Sequence, residues 1–473
     1  MGRGRGGIPG RHSGGPAAMN VARWRLTGLV GAGVVALALA LAMCGFPPGD
    51  SGAAKSGPGV YGSPPPRDED PGTELGWGFT HTKTSADEGG KAARERAAAL
   101  LKRTGLAQNQ HIMGWGADNP EPSPGRYDFE ALDKRVELMR RSGVTPVITL
   151  CCAPDWMKKG GRQGSTDWSE LETAPSPQHY DDFAELAGVI ARRYPDVQHF
   201  MVWNELKGFW DDGADRWDYE GYTRLYNLVH AQLKKASPRN LVGGPYVVMD
   251  SVGKASHNAS KVTGPWGALD RRALDAVRYW NRHKRGADFA VVDGSSYTAD
   301  DRLVPDEFAA TDKLTAVSEW MREETGLPLW WAEWYAEVGD ENDERDGWSE
   351  RHRLAVQASA LAALARGGTD AAFYWNPQNT GRACAGCLWR GTQLADGGGE
   401  LPMMRLLARF QKEFPPGTRW KKVRVRGADA AAVRTLGDDE RALAVNTRPG
   451  PVSVRVAGDT VKLKPYEVRW LAR

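Results

Sequence analysis

Between residues 75 and 414 the chain repeats one pattern eight times: a short apolar run, then a longer amphipathic stretch. The runs fall at residues 75–80, 109–115, 146–151, 198–203, 241–247, 288–293, 328–332 and 371–375. Helical spacing fills the intervals, for example over 129–142, 178–193, 222–236, 271–283, 306–325, 350–366 and 402–412. Strands separated by helices pair in parallel, because each helix carries the chain back to the same end of the sheet. Such strands are covered on both faces and read as continuous apolar runs. Eight units in this length predict an α/β fold, a (β/α)8 TIM barrel over residues 75–414. An open doubly wound sheet is the competing solution, but the glycine-rich phosphate turn that such sheets carry after the first strand does not come after residues 75–80.

The pattern changes at Pro415. Short strand patterns at 421–425, 430–434, 442–446, 452–456, 460–463 and 467–471, separated by Gly, Pro and Asp, predict a small C-terminal antiparallel β-module over 415–473, packed on the barrel. At the other end, residues 47–74 are rich in Pro, Gly, Ser and Asp and read as an exposed linker that buries no core. Residues 26–46 form an uncharged apolar run of 21 residues, long enough to cross a bilayer. Residues 1–25 carry five arginines and no acid, which reads as a cytoplasmic tail and puts everything after residue 46 outside the cell. The run reads as a transmembrane anchor, as a cleaved signal segment, or as a lipoprotein leader ending at Cys44, where Met43 departs from the usual small residue. The expected location is therefore membrane-anchored with the barrel extracellular, or secreted if the leader is removed.

Charge narrows the partners. The net charge of +3 comes from the N-terminal arginines, so the rest of the chain is close to neutral and lacks the clustered basic face of a nucleic-acid binder. The aromatic content is skewed: 19 Trp against 13 Tyr and 11 Phe. Tryptophan presents a flat apolar face with one polar edge, which suits a buried core and also a stacking platform.

In a (β/α)8 barrel the reactive groups sit at the C-terminal ends of the strands. Two carboxylates directly succeed apolar runs: Glu205 in Trp203-Asn204-Glu205 after the fourth, and Glu333 at the end of Leu329-Trp330-Trp331-Ala332-Glu333 on the seventh. Paired carboxyls across a barrel mouth match glycoside cleavage, in which one protonates the leaving oxygen and the other attacks the anomeric carbon. An acid/base carboxyl needs a raised pKa, and the charge of Glu333 with an apolar wall at Trp203 is expected to raise that of Glu205.

The series of motifs resembles clan A of the retaining glycoside hydrolases, and most of all family 39. It rests on Asn204-Glu205 after a strand and the Trp-rich strand ending in Glu333. Gly125-Arg126-Tyr127-Asp128-Phe129, Leu132-Asp133, the run Gly143-Val144-Thr145-Pro146-Val147-Ile148 and Pro154-Asp155-Trp156-Met157 add to it. The resemblance covers residues 75–470. It implies Glu205 as acid/base, Glu333 as nucleophile and Asn204 on the sugar 2-hydroxyl. Tyr297 would bond the nucleophile, although Ser295 stands where the clan has His. Trp375 would lie under the sugar, with His81 and Trp115 lining the same pocket. Trp156, in the loop after the third strand, reads as a further sugar platform or a loop anchor, as do Trp210 and Trp217.

Beyond Cys44 the cysteines form two close pairs, Cys151-Cys152 and Cys384 with Cys387. Both come after barrel strands. Two local disulfides or cross-links between the loops are open, and a zinc site would lack the usual second CxxC. The retaining mechanism needs no metal or cofactor. The expectation is a hydrolase acting on a polysaccharide or oligosaccharide at the cell surface, xylosidase-like or exopolysaccharide-degrading. The alternative is a non-catalytic cell-surface carbohydrate-binding protein on the same barrel.

Overall fold

The computed structural model describes residues 72–300, 302–336, 348–375, 378 and 385–473. The basic tail 1–25, the apolar run 26–46, most of the linker and Cys384 lie outside the described residues. Among the described residues no helix is long and apolar enough to cross a membrane. All of them belong to one compact unit.

Eight parallel strands close a barrel: β1 (Gly76–Thr80), β2 (Ala107–His111), β3 (Pro146–Leu150), β4 (His199–Val202), β5 (Leu241–Val248), β6 (Phe289–Ser295), β7 (Leu329–Tyr335) and β8 (Ala371–Tyr374). Each pairs with its neighbours in sequence, and β8 pairs with β1. The helices are α1 (Lys91–Thr104), α2 (Glu130–Arg141), α3 (Tyr180–Arg193), α4 (Tyr219–Ala236), α5 (Arg271–His283), α6 (Asp312–Thr325), α7 (Glu350–Arg366) and α8 (Pro402–Glu413). The helix expected over 306–325 is broken at Thr311. Asp306 caps a single turn, Glu307–Ala310, and the Thr311 hydroxyl then donates to the Phe308 carbonyl.

The lumen is filled rather than hollow. Met201, Phe289, Val291, Trp330 and Phe373 form its core, with Trp330 stacked on Phe289 at 3.9 Å. Each such fully buried side chain contributes roughly 1.5–3 kcal/mol. Strand β2 starts two residues before the expected 109–115 because its sequence is polar. Gln108, Asn109, Gln110 and His111 are nevertheless buried. Asn109 donates to the Thr80 hydroxyl and accepts from that of Thr149, and Arg135 donates to Gln110. A satisfied polar strand is stable inside a barrel, but no hydrophobic period announces it.

Two irregularities aim the site. Relative to β6, both neighbours carry an extra residue: pairing slips between Val291 and Val292 against β5, and between Val292 and Asp293 against β7. The bulge in β5 falls at Tyr246 (φ +55°), and that in β7 at Ala332, whose carbonyl accepts from the Thr80 hydroxyl. A bulge reverses the facing of the residues beyond it. It is why Glu333, of opposite parity to the lumen residues Trp330 and Ala332, comes to lie at the barrel mouth.

The C-terminal module is two three-stranded antiparallel sheets. One joins Val425–Arg426, Val452–Val456 and Asp459–Leu463, and the other Val433–Gly437, Arg441–Asn446 and Val468–Ala472. Residues 430–432, expected to be strand, make a short 3-10 turn instead. The module packs against α7, whose residues 355–365 are all buried and, Gln357 and Ser359 apart, apolar, so that stretch is covered on every face.

Candidate active site

Strand β4 delivers Asn204 and Glu205 through a strained exit. Trp203, Glu205 and Leu206 all have left-handed backbone, with φ of 72°, 50° and 50°. Non-glycine residues there cost about 1–3 kcal/mol each and persist only where their surroundings hold them. The holders are visible. The Trp203 amide donates to the Leu150 carbonyl, its indole N–H donates to the Lys207 carbonyl at 2.8 Å, and its ring packs edge-on against Phe183 and Phe209. At Gly208 (φ +75°) a Cβ would lie 2.2 Å from the Ala174 amide nitrogen, so only glycine closes this turn.

Three carboxyls meet at the mouth. One oxygen each from Glu205, Asp293 and Glu333 lies within 4.8 Å of the other two. Glu333 and Asp293 are buried, whereas the Glu205 side chain is 20% exposed and opens toward solvent. The Tyr246 hydroxyl donates to Glu333 Oε1 at 2.7 Å, and His111 Nε2 lies 3.9 Å from the same atom and 3.3 Å from Asn204 Oδ1. Lys207 Nζ sits 3.1 Å from Glu205 and 2.8 Å from Glu172, with the Trp115 ring 4.5 Å away. Trp115 and Trp375 flank His111, with ring centroids 6.0 and 6.4 Å from it.

The electrostatics reverse one expectation. Burial drives Glu205 upward, but the Lys207 ammonium and a hydrogen bond with Asp293 outweigh it and hold the carboxyl below its usual value. Glu333 rises instead, to about 8, through burial and the charge of Glu205. Asp293 rises well above the carboxylate range, through burial and the charges of Glu205 and Glu333. His111 is pushed down to about 4 by burial and is neutral. The expectation of a raised Glu205 fails because the Lys207 ammonium, two residues further on, turns back onto the carboxyl. Three carboxyl oxygens would suit a hard cation. Here the Lys207 ammonium, 3.1 Å from Glu205, already sets a positive charge beside them.

Glu205, Glu333, Asn204, Trp115 and Trp375 thus gather at one mouth. Three other residues do not join them as expected. The hydroxyl on Glu333 is that of Tyr246, not Tyr297, whose hydroxyl donates to that of Tyr335 at 3.2 Å. The bulge at Tyr246 is the reason, since it turns the ring into the lumen. His81 does not line the pocket. It is fully buried, with Nδ1 on the Ser85 hydroxyl (2.7 Å) and Nε2 on Gln108 (2.9 Å), and burial with nearby Arg135 lowers its pKa to about 3. Trp156 is a loop anchor, donating to the Glu121 carbonyl and packing edge-on against His179. Replacing His81 with Ala is expected to cost about 2–3 kcal/mol of stability in urea unfolding and to leave turnover unchanged. A variant of full stability that had lost turnover would return His81 to the pocket.

Sequence reasoning missed Asp293, Tyr246, His111 and Lys207. Asp293 was findable, since it is a charged residue closing an apolar run, the same signal that picks out Glu205 and Glu333. Tyr246 sits at a bulge inside β5 and His111 ends a strand that is itself polar, so neither carries a local sign of its contacts. The disulfide question resolves on the local side: Cys151 and Cys152 are bonded to each other at the end of β3, which rules out cross-links from that pair to the other loop. Cys387 is disulfide-bonded as well.

No protein-family model and no curated protein matches the chain. Solved structures do. A conserved exported protein from Bacteroides fragilis matches with a TM-score of 0.58 at 13% identity, over 85% of this chain and 98% of that one. A β-glucosidase, 1317, matches at 0.50 and 17%, over 72% and 99% of the two chains. A GH39 β-xylosidase from Caulobacter crescentus matches at 0.49 and 19%, over 80% and 79%. At these identities the likeness speaks for the fold alone, and the fold is a (β/α)8 barrel.

Proposed function

We propose that the chain is a retaining glycoside hydrolase that cleaves glycosidic bonds in extracellular or cell-surface glycans. Glu333 serves as nucleophile and Glu205 as acid/base. One observation carries the reading: Glu205 and Glu333 bring carboxyl oxygens within 4.8 Å of each other. Double displacement needs carboxyls about 5–5.5 Å apart, whereas single displacement needs about 6.5–9.5 Å to seat a water between them. In the first step a Glu333 oxygen bonds the anomeric carbon, the bond to the leaving oxygen breaks, and that oxygen takes a proton through Glu205. In the second, water gives a proton to Glu205 and its oxygen displaces Glu333. Tyr246 orients the nucleophile by its 2.7 Å hydrogen bond, and neutral His111 bridges toward Asn204, which would meet the sugar hydroxyl beside the scissile bond. Trp115 and Trp375 are apolar faces for the ring. Residues 26–46 would hold the barrel at the outer membrane surface or be removed on export. β-Xylosides, α-L-iduronides and bacterial exopolysaccharides are the substrates that the resemblance to family 39 favours.

The test is hydrolysis of a panel of aryl glycosides and cell-surface polysaccharides, with the anomer of the first-formed sugar read by proton NMR. Retained configuration is expected. An inverted product would sink the double displacement. Sugar binding without turnover on the whole panel would favour a carbohydrate-binding protein instead.

A further inference from the structure

Lys207 creates a difficulty that the proposed reaction has to meet. Glu205 must present a proton to the leaving oxygen, yet an ammonium 3.1 Å away favours its ionised form. Asp293, near the end of β6, brings a carboxyl oxygen within 4.8 Å of one of Glu205. It is 1% exposed, and among the described residues no N–H or O–H donor reaches its Oδ1. An ionised carboxylate there would be a buried charge without a donor of its own, which costs several kcal/mol. A protonated one satisfies itself by donating to Glu205.

We propose that Asp293 is a positioning residue that keeps the proton of the acid step in reserve and delivers it through Glu205. The proposal rests on the hydrolase reading above. In the resting site Glu205 is a carboxylate between the Lys207 ammonium and the Asp293 carboxyl. As the glycosidic bond lengthens, the Asp293 proton moves to Glu205 and is passed from there to the leaving oxygen, so that Glu205 is again a carboxylate when water enters. Glu333 bonds the anomeric carbon in the same step. In the second half, water gives its proton to Glu205, a proton returns to Asp293, and the hydroxyl oxygen replaces Glu333. No net proton is gained or lost beyond that of hydrolysis.

Other groups facing Asp293 are compatible with this role. Glu333 and Tyr335 approach from β7, Tyr246 from β5 and Tyr297 from the end of β6. The phenols stay neutral, burial raising each of them. The one further cation among the described residues is Lys313 on α6, buried and donating to the Tyr297 carbonyl at 2.9 Å, and burial lowers its pKa to about 8. The ammonium in contact with the carboxyl cluster is therefore that of Lys207, which bears on Glu205.

The experiment uses the full chain and Asp293→Asn, which keeps the shape and a donor but holds no transferable proton. Dinitrophenyl glycosides leave without protonation, whereas alkyl glycosides need it. The expected loss in kcat/KM is about 10²–10³-fold on alkyl glycosides, within the usual range for proton transfer, with a change of less than about threefold on dinitrophenyl glycosides. The alkaline limb for alkyl substrates moves to lower pH. Equal losses on both classes would mark a structural role and overturn the proposal, as would no loss on either. A second measurement needs neither turnover nor the variant. With aspartate labelled with 13C at the side-chain carboxyl, wild-type protein should show the isotope-shifted C=O stretch of a protonated acid at a pH where exposed aspartates are ionised. Absence of that band overturns the role whatever the activity, and its presence in a protein without turnover would fault the hydrolase reading and not the protonation of Asp293.

Discussion

Glu333→Gln is expected to lower kcat/KM by about 10⁴-fold or more, roughly 5.4 kcal/mol of transition-state stabilisation at 1.36 kcal/mol per tenfold. The side chain keeps its shape and an oxygen for the Tyr246 hydroxyl, so the loss is one of nucleophilicity rather than of fold. The wild-type pH profile belongs to the same prediction. The nucleophile must be ionised, and burial with the charge of Glu205 raises its pKa to about 8. The acid limb of kcat/KM should then lie near 8 instead of near an ordinary glutamate, with the rate rising as pH rises through it. Stability should run the other way. A carboxyl held protonated in the fold but ionised in the unfolded chain weakens the fold as pH climbs from its ordinary value toward 8. The glutamine amide does not titrate in this range, so urea titrations at several pH values should show the variant losing less stability over that window. An acid limb near an ordinary carboxylate, with wild type and variant of parallel pH dependence, would refute the assignment.

Removing Glu205 should produce the second large effect, and a selective one. For Glu205→Ala we expect a loss of about 10²–10⁴-fold on substrates with alkoxide leaving groups. The glycosylation step on dinitrophenyl glycosides should be little affected, because a good leaving group departs without a proton. The second step still needs a base to activate water, so a burst of dinitrophenol and then slow turnover is the expected trace. Azide, which needs no deprotonation, should fill the vacated space and yield a glycosyl azide of retained configuration. Lys207 keeps its contact with Glu172 at 2.8 Å, so the ammonium remains paired and the loop should hold. A uniform loss across leaving groups, or an azide product of inverted configuration, would remove Glu205 from the acid/base role.

These two carboxyls are legible because the rule that finds them is local. A strand buried on both faces is an apolar run, and the residue that ends it stands on the barrel rim. Asn204-Glu205 and Trp331-Ala332-Glu333 satisfy that rule in the sequence alone. His81 satisfies it as well and misleads, because nothing local tells a rim residue that faces the mouth from one whose two ring nitrogens are taken up by Ser85 and Gln108. The start of strand β2 escapes the rule for a related reason. Its glutamines and asparagine look like a loop until the barrel supplies Thr80, Thr149 and Arg135 as partners.

By itself the sequence determined the barrel, the trailing β-module and the positions of Glu205 and Glu333 along the strands. Each of these comes from periodicity over a few tens of residues, where burial of an apolar run leaves few solutions. Only the tertiary structure decided the chemistry between them. Tyr246 in place of Tyr297 on Glu333, Asp293 as a third carboxyl, and Lys207 as the charge that inverts the expected pKa of Glu205 all arise from side chains that converge across the mouth. Two bulges set that convergence, by shifting β5 and β7 one residue against β6. A shift of one residue exchanges the inward and outward faces of a strand. It is settled by contacts between strands tens of residues apart, and no pattern within one strand records it.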